Sequence, residues 1–448
     1  MGQLAIAEST LSMAALIAAG IFILVIAVIT LRLLHETTAA LLGVVSVFLV
    51  TYIGGQFNPQ LRIMTFNDAM MFVDWNVIFL IMGMMIFMAI LAETNVFKWI
   101  ALHLYQFAKG NTWVLVVLLV SLTGFTSALL NDVTAILLLV PLSIQLAALV
   151  GLNPFAIVIA EILASNIGGA ATLIGDPPST IVGLHVGISF GEYLINMAPV
   201  AILCMVALLF INRFQYRKEY TGSSNSISDV LVDKLTSESQ IVNHPTLYKS
   251  IIIGTLMFIL FFIADFLSHM PPGVVALSGA GLLIAWVRPD LDDMVREVDW
   301  TTLLFFIGLF IIVGGMEATG VIDWLATRIL ILASDSVTRA TLLVTWITGI
   351  ASGIIANIPF TVAVLPVIDL LSANLPGAAE SKILDWALIL GADLGGNSTY
   401  LGSAPNIVAV GLLAQAGYRL SFGRFMRDGV PVTIVTLIIA SIWLLLRY

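Results

Sequence analysis

The run LSMAALIAAGIFILVIAVITL at 11–31 contains no charged residue. It exceeds the roughly 18 apolar residues that a bilayer-spanning helix needs. Comparable segments follow at about 38–56, 75–92, 112–130, 133–150, 155–182 and 193–212. They resume at about 248–268, 272–288, 301–319, 340–355, 358–373, 384–412 and 430–446. Charged residues make up only 10% of the chain, against about 25% in soluble domains. The expected fold class is therefore an all-α polytopic membrane protein. MGQLAIAEST at 1–10 has no Lys or Arg, so it lacks the basic start of a cleavable signal, and the first segment is expected to stay as a helix. The polar stretch at 213–249 reads as a solvated linker.

Composition also excludes several function classes. The single cysteine, Cys204, rules out an intrachain disulfide and a clustered-cysteine metal site. It sits in AILCMVALLF and is expected to pack as a small hydrophobe. The net charge of −9 arises from dispersed acids rather than a block, so nucleic-acid binding has no support. The histidines at 35, 103, 185, 244 and 269 form no metal-ligand spacing. No cofactor is expected, and no HExxH, GxSxG or P-loop pattern points to an enzyme.

The two halves of the chain repeat one another. A shift that carries Trp75 onto Trp300 also pairs Gly83 with Gly308, Thr94 with Thr319, Trp99 with Trp324, Gly124 with Gly349 and Pro141 with Pro366. After a short slip, Gly168-Gly169 fall on Gly395-Gly396, Gly175 on Gly402 and Pro178 on Pro405. A further slip aligns SFGEYLINMAPV with SFGRFMRDGVPV. Internal similarity of this kind marks a duplicated unit. The expected units are 1–212 and 248–448, joined by a linker at 213–247. Each holds about five transmembrane spans plus a re-entrant helical hairpin (about 112–150 and 340–373) and a broken helix (about 155–182 and 384–412).

An odd number of spans per unit makes the repeats inverted relative to the membrane. With the 213–249 linker in the cytoplasm, only Arg62, Arg328, Arg339, Lys382 and Arg447 of the 18 Lys and Arg residues fall outside. That satisfies the positive-inside bias and places both termini outside. Membrane lipid is thus the first expected partner, in the inner (plasma) membrane.

Each broken helix carries a polar, glycine-rich stretch, SNIGGAATLIGDPPS at 165–179 and GADLGGNSTYLGSAPN at 391–406. Inverted repeats with interrupted helices that meet at the midplane are the architecture of secondary transporters. Unwinding at Gly168-Gly169 and Gly395-Gly396 would bare backbone groups to a solute. Asn166, Thr172, Asn397, Ser398 and Thr399 would add neutral polar side chains. The bland alternative is that the small residues only permit close helix packing.

The hairpin tips carry Asn131, Asp132 and Thr134 in the first unit, and Asn357 and Thr361 in the second. A carboxyl inside a membrane is by default a functional hypothesis. Asp132, buried with few partners, is a candidate proton carrier, the alternative being a helix cap in a shallow hairpin. Asp393, which aligns with Asn166, and Glu161, one turn before Asn166, are the next candidates. Asp176 reads equally as a turn former. Asp265 and Asp369 are weaker, since solvation or an interhelical partner suffices, and Asp74 and Asp299 read as caps.

FTSALLNDVTAILLLVPL, SNIGGAATLIGDPPSTIV, SGIIANIPFTVAVLP and LGGNSTYLGSAPNIV resemble the signature segments of the ion transporter superfamily. The likeness is strongest to the branch of the ArsB arsenite permeases and P proteins, and more distant to NhaD antiporters and sodium/dicarboxylate symporters. It spans nearly everything outside 213–249. The resemblance implies a scaffold around a transport core of two hairpins and two broken helices. Where dicarboxylate symporters carry Ser-Asn-Thr at the tips, this chain has Asn131-Asp132-Val133 and Ala356-Asn357-Ile358. The Asn-Asp pair is ArsB-like, whereas GDPP at 175–178 is more similar to P proteins. Together these features point to proton-coupled efflux of arsenite and antimonite. Asn131, Asn166, Asn357 and Asn397 would ligate the solute, and Asp132, with Asp393 or Glu161, would carry the proton. A sodium/proton antiporter and an anion permease or channel like the P protein are the alternatives. Any ATP dependence would require a partner such as an ArsA-type ATPase.

Overall fold

The computed structural model describes residues 11–222, 240–267, 270–333 and 336–448. Its regular structure is entirely helical among those residues. Lipid offers no partner for a bare N–H or C=O, and helices satisfy both internally. In the first half α1 is Met13–Thr30, α2 Glu36–Leu49, α3 Trp75–Ala92 and α4 Val96–Ala108. Then come α5 Thr112–Leu130, α6 Asp132–Leu149, α7 Pro154–Gly169, α8 Pro177–His185 and α9 Phe190–Gln215. In the second half α10 is His244–Leu267, α11 Pro272–Val287, α12 Trp300–Ala318 and α13 Val321–Ala333. They are followed by α14 Val337–Ser352, α15 Asn357–Asn374, α16 Ile383–Gly395, α17 Ala404–Gln415 and α18 Phe422–Arg447.

Polar residues mark where these helices start. Asp74 accepts from the Asn76 and Val77 amides and Asp299 from the Thr302 amide, so both cap as expected. Ser12, Asn111, Asn153, Ser189, Ser336 and Ser421 do the same at α1, α5, α7, α9, α14 and α18.

Packing recurs with the halves exchanged. α3 packs on α11 and α12 on α2; α5 packs on α7 and α14 on α16. The tip-bearing arm α6 meets α17 of the other half, and α15 meets α8. α9 and α18, which occupy equivalent positions, pack on each other. Small residues allow the closest crossings, as where Gly83 lies against the Ala276 backbone between α3 and α11.

Three local expectations change. First, ten helices among the described residues are long and apolar enough to cross a membrane, and by this measure of length and composition they are a different set from the ten expected spans. They include the hairpin arms α5, α6 and α15, while the broken-helix parts α7 and α17 and the helices α11 and α14 fall below that length. Second, the polar stretch at 213–249 is helical at both ends, through Gln215, Arg217–Gly222 and from His244; residues 223–239 lie outside the described residues, as do the Asp265 side chain and His269. Third, α4 and α13 have no counterpart in the expected segments. They are short and two-sided: α4 buries Phe97, Ala101, Leu102 and Tyr105 and turns His103 outward, a helical spacing that a search for unbroken apolar runs does not detect.

Candidate functional site

Each hairpin tip is tied to the broken helix of its own half by the same bonds. The Asp132 amide donates to the Gly175 carbonyl at 3.1 Å, and the Asn357 amide to the Gly402 carbonyl at 3.0 Å. Ser127 Oγ donates to the Ser165 carbonyl and Ser352 Oγ to the Ala392 carbonyl, each at 2.6 Å. Thr172 Oγ1 donates to the Ala128 carbonyl, and Thr399 Oγ1 to the Gly353 carbonyl. A tip and its broken stretch therefore form one hydrogen-bonded unit.

The glycines work differently from the sequence expectation. α7 continues through Gly169 and α16 through Gly395, and the irregular backbone begins only after them. A Cβ on Gly168 would lie 2.0 Å from the Gly124 carbonyl oxygen, and one on Gly395 2.3 Å from that of Gly349. These are points of close backbone approach rather than unwound backbone offered to a solute. Gly169 faces Asp176, and Gly396 faces Gly402 and Ser403.

The two broken helices are joined across the halves. Asn166 Nδ2 donates to Asn397 Oδ1 at 2.7 Å and to Asn406 Oδ1 at 2.9 Å. Asn397 Nδ2 donates to the Leu163 carbonyl at 3.3 Å, and Asn406 Nδ2 to the Gly396 carbonyl at 2.8 Å. Ser179 Oγ donates to Asp393 Oδ2 at 2.7 Å. Asn166 and Asp393 hold equivalent places in the repeat, as do Ser179 and Asn406, so one cross-link is built twice with different side chains.

A cavity of about 160 Å³ lies beside the tips. Of the expected residues, Asn131, Asp132, Thr134, Asp176 and Asn357 line it. Asn166, Asp393, Asn397, Thr172 and Thr399 instead sit behind it in the bonds just described. Thr361 spends its hydroxyl on the Asn357 carbonyl at 2.8 Å, and Ser398 Oγ occupies the space beside Gly353. Glu161 is buried among α5, α6 and α7, accepting from Ser143 Oγ at 2.6 Å and Thr123 Oγ1 at 3.3 Å. Ser403 also lines the cavity. As the repeat equivalent of Asp176 it was findable by alignment, whereas Glu36 meets the neighbouring Glu297 and Asp299 at the mouth only in three dimensions.

The lining is one-sided in charge. Glu36, Asp132, Asp176, Glu297 and Asp299 contribute carboxyls, and no Lys, Arg or His lines the cavity among the described residues. Both Asp176 oxygens, both polar atoms of Asn357 and the Ser403 hydroxyl are buried without a hydrogen-bond partner. Unpaired buried groups are rare enough to need an explanation, and a ligand supplies one.

The mouth lies on the linker face, where the Val242 amide donates to the Thr94 carbonyl at 3.3 Å. Partial burial, with Glu297 and Asp293 nearby, pushes the Glu93 carboxyl up from its ordinary value. Asp299 is held below its ordinary value, because hydrogen bonds from Thr301 and Thr302 outweigh the burial that opposes them. On the opposite face His185 Nε2 lies 2.8 Å from Asp369 Oδ2, bridging α8 and α15, and Lys382 pairs with Glu192 at 3.2 Å.

Residues 21–391 match a transporter family described as citrate transporters. The chain is 37% identical to an uncharacterized transporter of Mycobacterium tuberculosis, over 84% of this chain and 87% of that one. It is 29% identical to the P protein of Sus scrofa, over 98% of this chain and 60% of the P protein. The YdaH transporter of Alcanivorax borkumensis, whose crystal structure is described as having an unusual topology, shares the fold at a TM-score of 0.63 and 14% identity. That likeness covers 96% of this chain and 97% of YdaH.

Proposed function

The chain belongs to the citrate transporter family of the ion transporter superfamily, and from that premise we propose a proton-coupled secondary transporter whose solute enters without net negative charge. The supporting observation is the cavity lined by five carboxyl residues and no cation among the described residues. Two like charges about 4 Å apart repel by about 4 kcal/mol at an effective dielectric of 20. A free polyanion would meet that cost several times over. Asp132, with the neighbouring Asp176 and Asp393, carries the proton, because a carboxyl buried without a cation must either hold a proton or find a counter-ion.

Within this reading, arsenous acid and its antimony analogue are the favoured solutes for efflux across the inner membrane. Each is uncharged at neutral pH and presents hydroxyls to the unpartnered Asn357, Asp176 and Ser403 groups. An ArsA-type ATPase would be an accessory. The family match favours a second solute, citrate. In this cavity citrate, a trianion, would have to arrive neutralised, by protons or by a bound divalent cation together with one proton. A P-protein-like anion permease would call for a positive lining, and the described residues around the cavity supply none. The inverted repeats and the cytoplasmic placing of the linker belong to the same proposal.

The test is proton flux in sealed liposomes holding the purified protein, with arsenite, sodium, or citrate with and without a divalent cation. Arsenite-evoked proton movement that Asp132→Asn abolishes is the expected result. Response to citrate only with the divalent cation would replace the solute and keep the charge rule. Sodium-evoked proton release with silence toward arsenite would mean an antiporter, and proton-independent current carried by free citrate would overturn the reading.

A further inference from the structure

A second cavity lies away from the tips. It measures about 560 Å³ and is bounded by α1, α12, α13, α14 and α15. Phe22 and Ile26 of α1 form one wall, and Leu343 and Ile347 of α14 with Phe360 and Val364 of α15 form another. Apart from Thr348, Trp324 and the Met316 thioether, its lining side chains are hydrocarbon. Water has no polar partners to hold it there, and apolar cavities stay dry. α1, α12 and α15 are long and apolar enough to span a bilayer, so the substance in contact with this groove is lipid.

Charge at one end narrows the choice. Trp324 and Ala340 line the groove. The Arg328 guanidinium lies 5.6 Å over the Trp324 ring, and Arg339 directly precedes Ala340. Both arginines are exposed, and neither has a carboxylate partner among the described residues. An interfacial Trp beside two exposed guanidiniums that no described carboxylate pairs, above a hydrocarbon slot, matches a phospholipid with its phosphate at the surface. We propose that this groove seats an acyl chain of an anionic phospholipid whose headgroup lies at Arg328 and Arg339. The lipid fills the space between α1 and the second hairpin, α14–α15, so it wedges the hairpin against its surroundings. This site is separate from the cavity at the tips and does not depend on which solute is transported.

Trp324 supplies the readout, since brominated acyl chains quench a tryptophan they touch. The full chain is reconstituted in phosphatidylcholine vesicles holding a small fraction of dibrominated phosphatidylglycerol or, in parallel, dibrominated phosphatidylcholine. The difference from Trp324→Phe isolates the Trp324 emission. Half-quenching at a mole fraction of brominated phosphatidylglycerol roughly tenfold below that of brominated phosphatidylcholine is expected. The preference should vanish in Arg328→Gln/Arg339→Gln and fade at high salt. Salt dependence in the wild type provides the check if the double variant does not fold. Equal quenching by the two lipids means bulk boundary lipid and overturns the proposal. A preference unmoved by salt or by the arginine variants overturns it as well.

Discussion

Gly168 and Gly395 sit where a methyl group has nowhere to go, 2.0 and 2.3 Å from a facing backbone carbonyl oxygen. Alanine at either position should force α7 from α5, or α16 from α14. Overpacking of this kind costs about 1–3 kcal/mol or more. Gly20, with nothing within 4 Å, is the control: alanine there should be neutral or slightly stabilising, by about 0.5–1 kcal/mol. Thermal unfolding in detergent checks the contrast, and equal midpoints for all three variants would refute it. A second residue-scale prediction concerns pH. The hydrogen bond that His185 donates to Asp369 raises the His185 pKa against partial burial, with the Asp369, Asp74 and Asp385 charges adding to it. A folded value above the unfolded one, about 6.5, gives stability fully present below that pH and lost as pH climbs through the folded value. The thermal midpoint should therefore fall between pH 6 and 9 more steeply in wild type than in His185→Gln. Matching slopes would show that the pair is energetically silent.

At the scale of elements, the unit that matters is a hairpin with its broken helix. Those units were legible because polar and glycine residues interrupt apolar runs at equivalent places, Asp132 against Asn357 at the tips and Gly168-Gly169 against Gly395-Gly396 in the broken helices. The depth of the break was not legible, because Gly-Gly permits both unwinding and close packing, and only the neighbouring helix decides between them. α8 of one half touches α15 of the other through His185 and Asp369. Transport that moves one unit past the other must break this contact. Cysteines replacing both residues, bridged by a short bifunctional maleimide, should stop solute-evoked proton flux, and each single cysteine should leave most of it. Full flux in the bridged protein would place the moving boundary elsewhere.

For the whole molecule, the exchanged packing of the halves puts the mouth and the His185–Asp369 pair on opposite faces. A cysteine at Glu297 should react with a membrane-impermeant thiol reagent only from the cytoplasmic side, and one at His185 only from outside. The native Cys204 is buried and should stay silent. The reverse pattern would invert the orientation; reaction of both from one side would deny the separation of the faces.

The sequence alone determined the class and the parts. Long uncharged runs compel helices in lipid, and matched Gly, Pro and Trp positions point to a duplication whatever the packing. Asp132 and Asn357 stood out because polar residues between apolar arms are expensive. What those residues do was decided by tertiary structure. Asn166 and Asn397 hold the halves together instead of facing the cavity, and Thr172 and Thr399 clamp the tips. Glu36, far in the chain from the neighbouring Glu297 and Asp299, joins them to make its mouth acidic. Whether a polar group is spent on a neighbour or left for a ligand depends on distances between segments hundreds of residues apart, and no local pattern encodes them.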